Sequence, residues 1–211
     1  MTRSLVIVGA GGFGREVLDV ADAMVDDAGP VYGVAGFVDD APSEANLARL
    51  ASLGVPYLGA VADIDAVAPG AEVVIGIGSP QVRAELDAAL LHRTAAVLVH
   101  PSVTLGRGVT LGPGTVLCAG VRVTTNIVMG RHVHVNLNAT VGHDTVIGDH
   151  VSVNPLAAIS GGCELQSRAV IGTTAAVLEN RTVGEDAIVG AGACVVRDVP
   201  PGALVKGIPA R

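Results

Sequence analysis

Aromatic side chains are almost missing from this chain. It has no tryptophan, and its four rings, Phe13, Tyr32, Phe37 and Tyr57, all fall within the first 57 of 211 residues. The rest of the chain must build its interior from Val, Ile, Leu and Ala, which suits a thin, regular core. Charge is scarce as well, at 16% with a net of −7. Such a chain offers no basic stripe to displace the counterions of a polyanion, so a nucleic-acid partner is excluded. The low charge and 50% hydrophobic content also exclude a disordered acidic tail and a charged helical bundle. Mean hydropathy is +0.56, yet no stretch approaches the ~18 consecutive apolar residues that a membrane span needs. The apolar run Leu5–Val8 is too short for a secretion signal, and Arg15, Glu16 and Asp19 follow it closely. Cys118, Cys163 and Cys194 are odd in number and lack metal-ligand spacing, so they read as free thiols of a reducing compartment. The expectation is a soluble, cytoplasmic protein with no metal.

What is abundant is a six-residue rhythm. Every sixth residue from Val99 to Val195 is aliphatic or Met, 17 positions without exception. In a chain that is half hydrophobic, one register would do this by chance about once in 130,000 trials. Glycine follows eight of these positions, and a small or β-branched residue stands four places on almost throughout, with Arg181 the misfit. Two inward positions per hexad describe a short strand and a turn, and three such units close a triangular coil of 18 residues. Residues 18 apart then stack one strand spacing, roughly 4.8 Å, apart. The segment before Val99 has a different rhythm. A buried strand at Leu5–Val8, a glycine turn at Gly9–Gly14 and a helix at Arg15–Met24 come first. Strands at Val31–Val38, Val73–Ile77 and Ala95–Val99 then alternate with helices at Ser43–Leu53 and Gln81–Leu91. The expected architecture is a small parallel, Rossmann-like α/β domain over residues 1–98 and a parallel β-helix over 99–196. An extended tail is expected over 197–211.

Several residues stand out for chemistry. His143 lies two places after the inward Val141, so it points out of the prism, and only a second prism packed alongside would give it a pocket. Asp144 beside it is suited to orient the imidazole. Gly161, 18 residues on, stacks beneath His143; it reads either as room for a reacting group with an N–H for an oxyanion, or as a plain turn glycine. Asn136 stacks on Asn154, a pair that an asparagine ladder explains equally well. His132 and His150 are also 18 apart; two ligands are too few for a metal, and stacked surface histidines are the simpler reading. Gly9-x-Gly11-x-x-Gly14 follows a strand and opens a helix, which suits a phosphate or sugar. Taken alone it would suggest NAD, with Asp39 as the ribose acid, but the domain is too short for a second mononucleotide half.

Together, the hexads, Gly9-Ala-Gly-Gly-Phe-Gly14, Phe37-Val-Asp-Asp40, Ile75-Gly-Ile-Gly-Ser79, Gly142-His-Asp144 and Lys206-Gly-Ile-Pro-Ala-Arg211 carry a resemblance. The chain resembles the left-handed β-helix acyltransferases, and among them the bacterial sugar acetyltransferases that modify sialic acid or nucleotide-linked amino sugars. The resemblance implies a homotrimer with sites between subunits, His143 as general base, Asp144 as its partner and Gly161 as oxyanion donor. It puts Asn136 at the acceptor site. Gly11, Gly12 and Phe13 are implied around the sugar or phosphate of a nucleotide-linked sugar, with Asp39 and Asp40 at its base and ribose and Gly78 and Ser79 nearby. Acetyl-CoA, as co-substrate, is implied near Thr173 and Ala191, with Lys206 for a phosphate. Many relatives carry a second histidine at the position of Ser152, contacting the acetyl group; here His134 is stacked one coil before it. The expected activity is acetyl transfer to an amino group of a nucleotide-linked sugar. O-acetylation of a sugar hydroxyl is the runner-up, and a non-catalytic nucleotide-sensing module the distant one.

Overall fold

The computed structural model describes residues 2–211, and the chain divides into two compact units that meet in sequence at Val99 and His100. The first unit is an α/β layer. Its strand β1 (Arg3–Val8) ends in a run of four wholly buried residues, Leu5 to Val8, as a strand covered on both faces requires. Helix α1 (Gly12–Ala23) follows, then a two-residue hairpin of β2 (Val25–Asp26) and β3 (Gly29–Pro30). Strand β4 (Tyr32–Val38), helix α2 (Glu44–Ser52), strand β5 (Tyr57–Gly59), the short helix α3 (Ile64–Val67), strand β6 (Glu72–Ile75) and helix α4 (Pro80–Ala89) complete it. The sheet is parallel throughout, in the order β5-β4-β1-β6. The hairpin β2–β3 and the short helix α3 are additions to the elements expected from the sequence, and two further departures appear. The edge strand β5 has no alternating pattern to reveal it, and of the strand expected at Ala95–Val99 only Ala95 reaches this sheet, as one bridge to Val73.

Local chemistry fixes these elements. Ser43 and Ser79 cap α2 and α4 by accepting from the N–H groups of Asn46 and Val82, and Pro80 opens α4. The glycine turn after β1 is a matter of space. A Cβ on Gly14 would stand 1.9 Å from the Gly9 carbonyl oxygen, and one on Gly76 would stand 2.6 Å from Gly14 Cα. Helix α1 and the end of β6 therefore meet glycine on glycine. Arg83 is fully buried in α4 and donates to the carbonyls of Ile77 and Gly78, tying down the loop after β6; burial lowers its pKa to about 9.

The second unit is the left-handed parallel β-helix. Two- and three-residue strands form three stacked sheets, and the 18-residue register holds from coil to coil. Val123 pairs with Val141, Val141 with Ile159, and Ile159 with Val177. Inward residues such as Leu117, Val135, Val153, Ile171 and Val189 are wholly buried. The backbone shows a second period that the hydrophobic pattern conceals. From Gly108 to Gly192 every sixth residue has positive φ, and ten of these are not glycine. Asn126, Asn138, Asp144, Asn180 and Asp186 account for half of those ten, as expected for the side chains that tolerate the left-handed region best.

The extended tail expected over 197–211 is not observed. Val199 bridges Val183, and Leu204–Val205 pairs with Ile188–Val189, so the segment adds a further turn at a spacing of 16 residues rather than 18. The last full coil presents unpaired N–H and C=O groups, and the segment satisfies them. Pro200 and Pro201 sit in the shortened corner.

Candidate active site

The His143–Asp144 pair sits at a corner of the prism, on the two turn residues between short strands. Asp144 takes the positive-φ position, with φ 59°, which directs its carboxylate along the stacking direction. His143 Nδ1 lies 2.7 Å from one oxygen of that carboxylate, and the amide of Asn126, on the preceding coil, donates to the other at 2.6 Å. These two contacts, Asn126 first, hold the Asp144 carboxyl below the usual carboxylate range, so it is ionised at neutral pH. An ionised carboxylate accepts a hydrogen bond from Nδ1–H of the neutral ring, which leaves the lone pair on Nε2. Both side chains are more than half exposed.

On the following coil Gly161 lies against the imidazole. A Cβ there would stand 2.6 Å from both Cε1 and Nε2 of His143. Gly142, on the same coil as His143, also stands close, since a Cβ on it would lie 2.6 Å from the Gly161 nitrogen. The coil-to-coil ladder flanks Gly161 without using its N–H: Ser160 donates to Val177, and Gly162 donates to His143. Such a site has a base nitrogen, a space beside it and an unused backbone donor, which is the equipment acyl transfer requires.

The other expected site residues fall into separate groups. Asn136 and Ser152 are buried; the Asn136 amide donates to the Val153 carbonyl at 3.1 Å, and Ser152 pairs in register with His134. Thr173 and Ala191 are exposed and stacked, with the Gly192 N–H donating to the Thr173 carbonyl, on a different corner from His143 and Gly161. Lys206 is exposed in the added turn. His132 and His150 do stack, 5.9 Å apart and 5° from parallel, but they are buried, at 1% and 9% exposure, and not surface groups. Their rings occupy a corner where a glycine, Gly114, leaves room in the preceding coil.

In the α/β unit, Gly11 is the N-cap of α1 with Gly12 and Phe13 in its first turn. Asp39 is committed to the main chain: one oxygen accepts from Ala10 N–H at 2.7 Å and the other from Ala41 N–H at 2.9 Å. Asp40 accepts from Val61 N–H and keeps one oxygen uncommitted. Both acids border a cleft of about 190 Å³ whose other walls include Val8, Val61, Ile77 and Leu86. Gly78 and Ser79 lie beyond Ile77, at the start of α4. Asn126 escaped the sequence reading, although the stacking arithmetic that led from His143 to Gly161 leads equally from Asp144 back to Asn126. Arg15, which donates to the Ala10 carbonyl and to Asn46 around the glycine turn, was missed because it read only as a helix residue.

The β-helix with its exposed His–Asp pair, joined to an α/β unit, defines a hexapeptide-repeat acyltransferase. Comparison with known proteins narrows the class. The profile of the PglD N-terminal domain matches residues 4–89. A GDP-perosamine N-acetyltransferase of Escherichia coli O157:H7 is 31% identical over 152 residues, 68% of this chain and 63% of that enzyme. The match thus spans slightly under two thirds of that relative's length. A perosamine N-acetyltransferase from Caulobacter crescentus was solved as a histidine-to-asparagine variant in complex with CoA and GDP-perosamine. It is 31% identical, covers 99% of this chain and 95% of its own, and superposes with a TM-score of 0.89. The acetyltransferase domain of PglB from Neisseria gonorrhoeae is likewise 31% identical, over 100% and 99% of the two chains, with a TM-score of 0.87. The chain belongs to the hexapeptide-repeat sugar acetyltransferases.

Proposed function

We propose that the protein acetylates the amino group of a nucleotide-linked sugar with acetyl-CoA by direct transfer, and that a GDP-linked amino sugar of the perosamine kind is its acceptor. The observation that carries this reading is the ionised Asp144 carboxylate on His143 Nδ1, with Nε2 facing the space beside Gly161. The neutral sugar amine attacks the thioester carbonyl and the C–N bond forms. His143 Nε2 takes the proton the nitrogen must lose, the carbonyl oxygen gains charge beside the Gly161 N–H, and the C–S bond then breaks. The proton passes to the departing thiolate, so CoA leaves as the thiol and no covalent enzyme intermediate forms.

The α/β unit is assigned the nucleotide. Its cleft at Asp40 suits a base or ribose, and the open first turn of α1 at Gly11, Gly12 and Phe13 suits the phosphates or the sugar. Acetyl-CoA is assigned to Ser152, Thr173 and Ala191, with Lys206 at a phosphate and Asn136 on the acceptor side. Thr173 and Ala191 share no corner with His143, which supports a homotrimer in which one chain's base faces another chain's CoA surface. A cytoplasmic location fits these substrates, and no helix among the described residues is long and apolar enough to cross a membrane.

A thiol-release assay tests the reading. Acetyl-CoA is supplied with GDP-, UDP- and dTDP-linked amino sugars, beside free sugars and a hydroxyl acceptor. Turnover with a GDP-amino sugar, reduced by 10² or more in His143→Asn, is expected. Turnover only with a hydroxyl acceptor, or an undiminished His143→Asn enzyme, would overturn it.

A further inference from the structure

We infer that Asn126 is a positioning residue for the acetyl transfer, acting through Asp144; this rests on the reading of His143 as the base. The three side chains form one chain of contacts across two coils. Asn126 Nδ2 donates to Asp144 Oδ1 at 2.6 Å, and Asp144 Oδ2 accepts from His143 at 2.7 Å. A carboxylate at an exposed corner is otherwise free to rotate about its χ2 bond and to turn both oxygens to water. With Oδ1 anchored from the preceding coil, Oδ2 is left at the Nδ1 of His143, the geometry that keeps the Nε2 lone pair available.

Asn126 is itself well anchored. Its N–H donates to the Arg107 carbonyl, and Thr125 Oγ1 donates to the same carbonyl at 2.8 Å. Asn126 and Asp144 share the positive-φ column, at φ 57° and 59°, so the same corner geometry repeats one coil apart and stacks their side chains. The column makes an amide at 126 a chemical choice and not a conformational need, since Gly108 and Gly162 fill its neighbouring positions. The nearest other charged side chains on this corner are Arg107 on the coil before Asn126 and Glu179 on the coil after Gly161; Arg197 and Asp198 lie one coil further on, where Asp198 pairs with Arg181. None of them makes an ion pair with Asp144, whose polar partners in the structure are Asn126 and His143.

The experiment uses four variants of the full chain: Asn126→Gly, Asp144→Gly, the double Asn126→Gly/Asp144→Gly, and Asn126→Asp. Glycine removes the side chain without straining the positive-φ backbone. Thermal melts confirm that each variant folds. Asn126→Gly is expected to lose roughly tenfold in kcat at unchanged KM for both substrates, the scale of a lost hydrogen bond to a charged group. The acid limb of its kcat/KM–pH profile moves to lower pH, because the carboxylate no longer faces the imidazole steadily. Asn126→Asp moves that limb the other way, since a second carboxylate favours the protonated ring. In the Asp144→Gly background, adding Asn126→Gly costs nothing further. Additive losses, or unshifted limbs in both Asn126 variants, would overturn the inference while leaving His143 as base. A fully active His143→Asn enzyme would instead remove the reading on which it rests.

Discussion

Replacing Gly161 with alanine tests the catalytic corner without touching any group that does chemistry. The added methyl would stand 2.6 Å from Cε1 and Nε2 of His143 and 3.0 Å from Cδ2. Ordinary carbon contacts begin near 3.5 Å, so the ring must retreat by roughly 0.9 Å. Gly161 lies outside the left-handed region, so alanine fits the backbone, and the exposed imidazole can swing into solvent at little cost to folding. Losing a glycine from the unfolded chain adds a few tenths of a kcal/mol of stability. The melting temperature should therefore stay level or rise slightly. The rate should not, because a displacement of about 1 Å in a catalytic group costs on the order of 100-fold, or about 2.7 kcal/mol of barrier. The Gly161 N–H survives the change, so the loss would report the displaced ring and the methyl filling the space beside Nε2, and not a missing oxyanion donor. The assay is thiol release at saturating acetyl-CoA and acceptor, with kcat and both KM values measured beside a thermal melt. A kcat within twofold of the parent, in a protein that melts normally, would refute the placement of His143 over the reacting centre. So would a Gly161→Ala/His143→Asn double variant losing the product of the two single effects, since a displaced base and an absent base cannot both be charged for.

Two further outcomes follow from the same geometry. Gly14→Ala should destabilise the α/β unit by about 3 kcal/mol or more, because its methyl would meet the Gly9 carbonyl oxygen at 1.9 Å and neither strand nor helix can withdraw. Gly11→Ala, with open space at the same turn, should leave stability unchanged; both tyrosines, Tyr32 and Tyr57, lie in this unit, so their fluorescence in a urea titration reads it selectively. Equal stability of the two variants would refute the packing argument. The pH profile supplies the second. Asp144 has its pKa lowered from 3.8, so its ionised form contributes fully above 3.8 and is lost only as pH falls through the lower folded value. The acid limb of kcat/KM above pH 5 should therefore follow a single proton, and a limb of slope two would show a second titrating group.

Much of this structure was legible in the sequence because the β-helix is a one-dimensional repeat. From Leu117 to Val195 every residue of the inward register is buried, although Leu105 on the first coil is 45% exposed, and the 18-residue stack places Gly161 under His143. Several of the misses depend on what lies beside a residue and not on its place in the period. The burial of His132 and His150 comes from the space left over Gly114, which no hydrophobic count reveals. The turn formed by residues 197–211 comes from unsatisfied backbone at the end of the last full coil, not from any apolar pattern of its own. Asp39 reads in the sequence as an acid for a base or ribose, while in the structure both its oxygens close the glycine turn and the start of the next loop. The Asx-rich positive-φ column was visible in the sequence, in Asn126, Asn138, Asp144, Asn180 and Asp186, but it is spaced from the apolar register and so stays hidden when only hydrophobicity is counted.

That column also explains how a regular scaffold comes to hold chemistry at one corner and not at others. At another corner Arg168 and Asp186 occupy stacked positive-φ positions and form a two-pronged ion pair at 2.7 Å, with the guanidinium also on Glu185. The geometry is that of Asn126 and Asp144, with a different pair of side chains. Exposed ion pairs contribute about 0–1 kcal/mol, so the content of a corner matters little to a fold whose stability lies in the buried aliphatic column. Corner residues are thereby released for function at small energetic cost. What separates the His143 corner from the Arg168 corner is the residue one coil further along from the first turn position: Gly161, which admits an imidazole and leaves its own N–H unused, against Glu185, whose side chain fills the corresponding place and closes the ion pair.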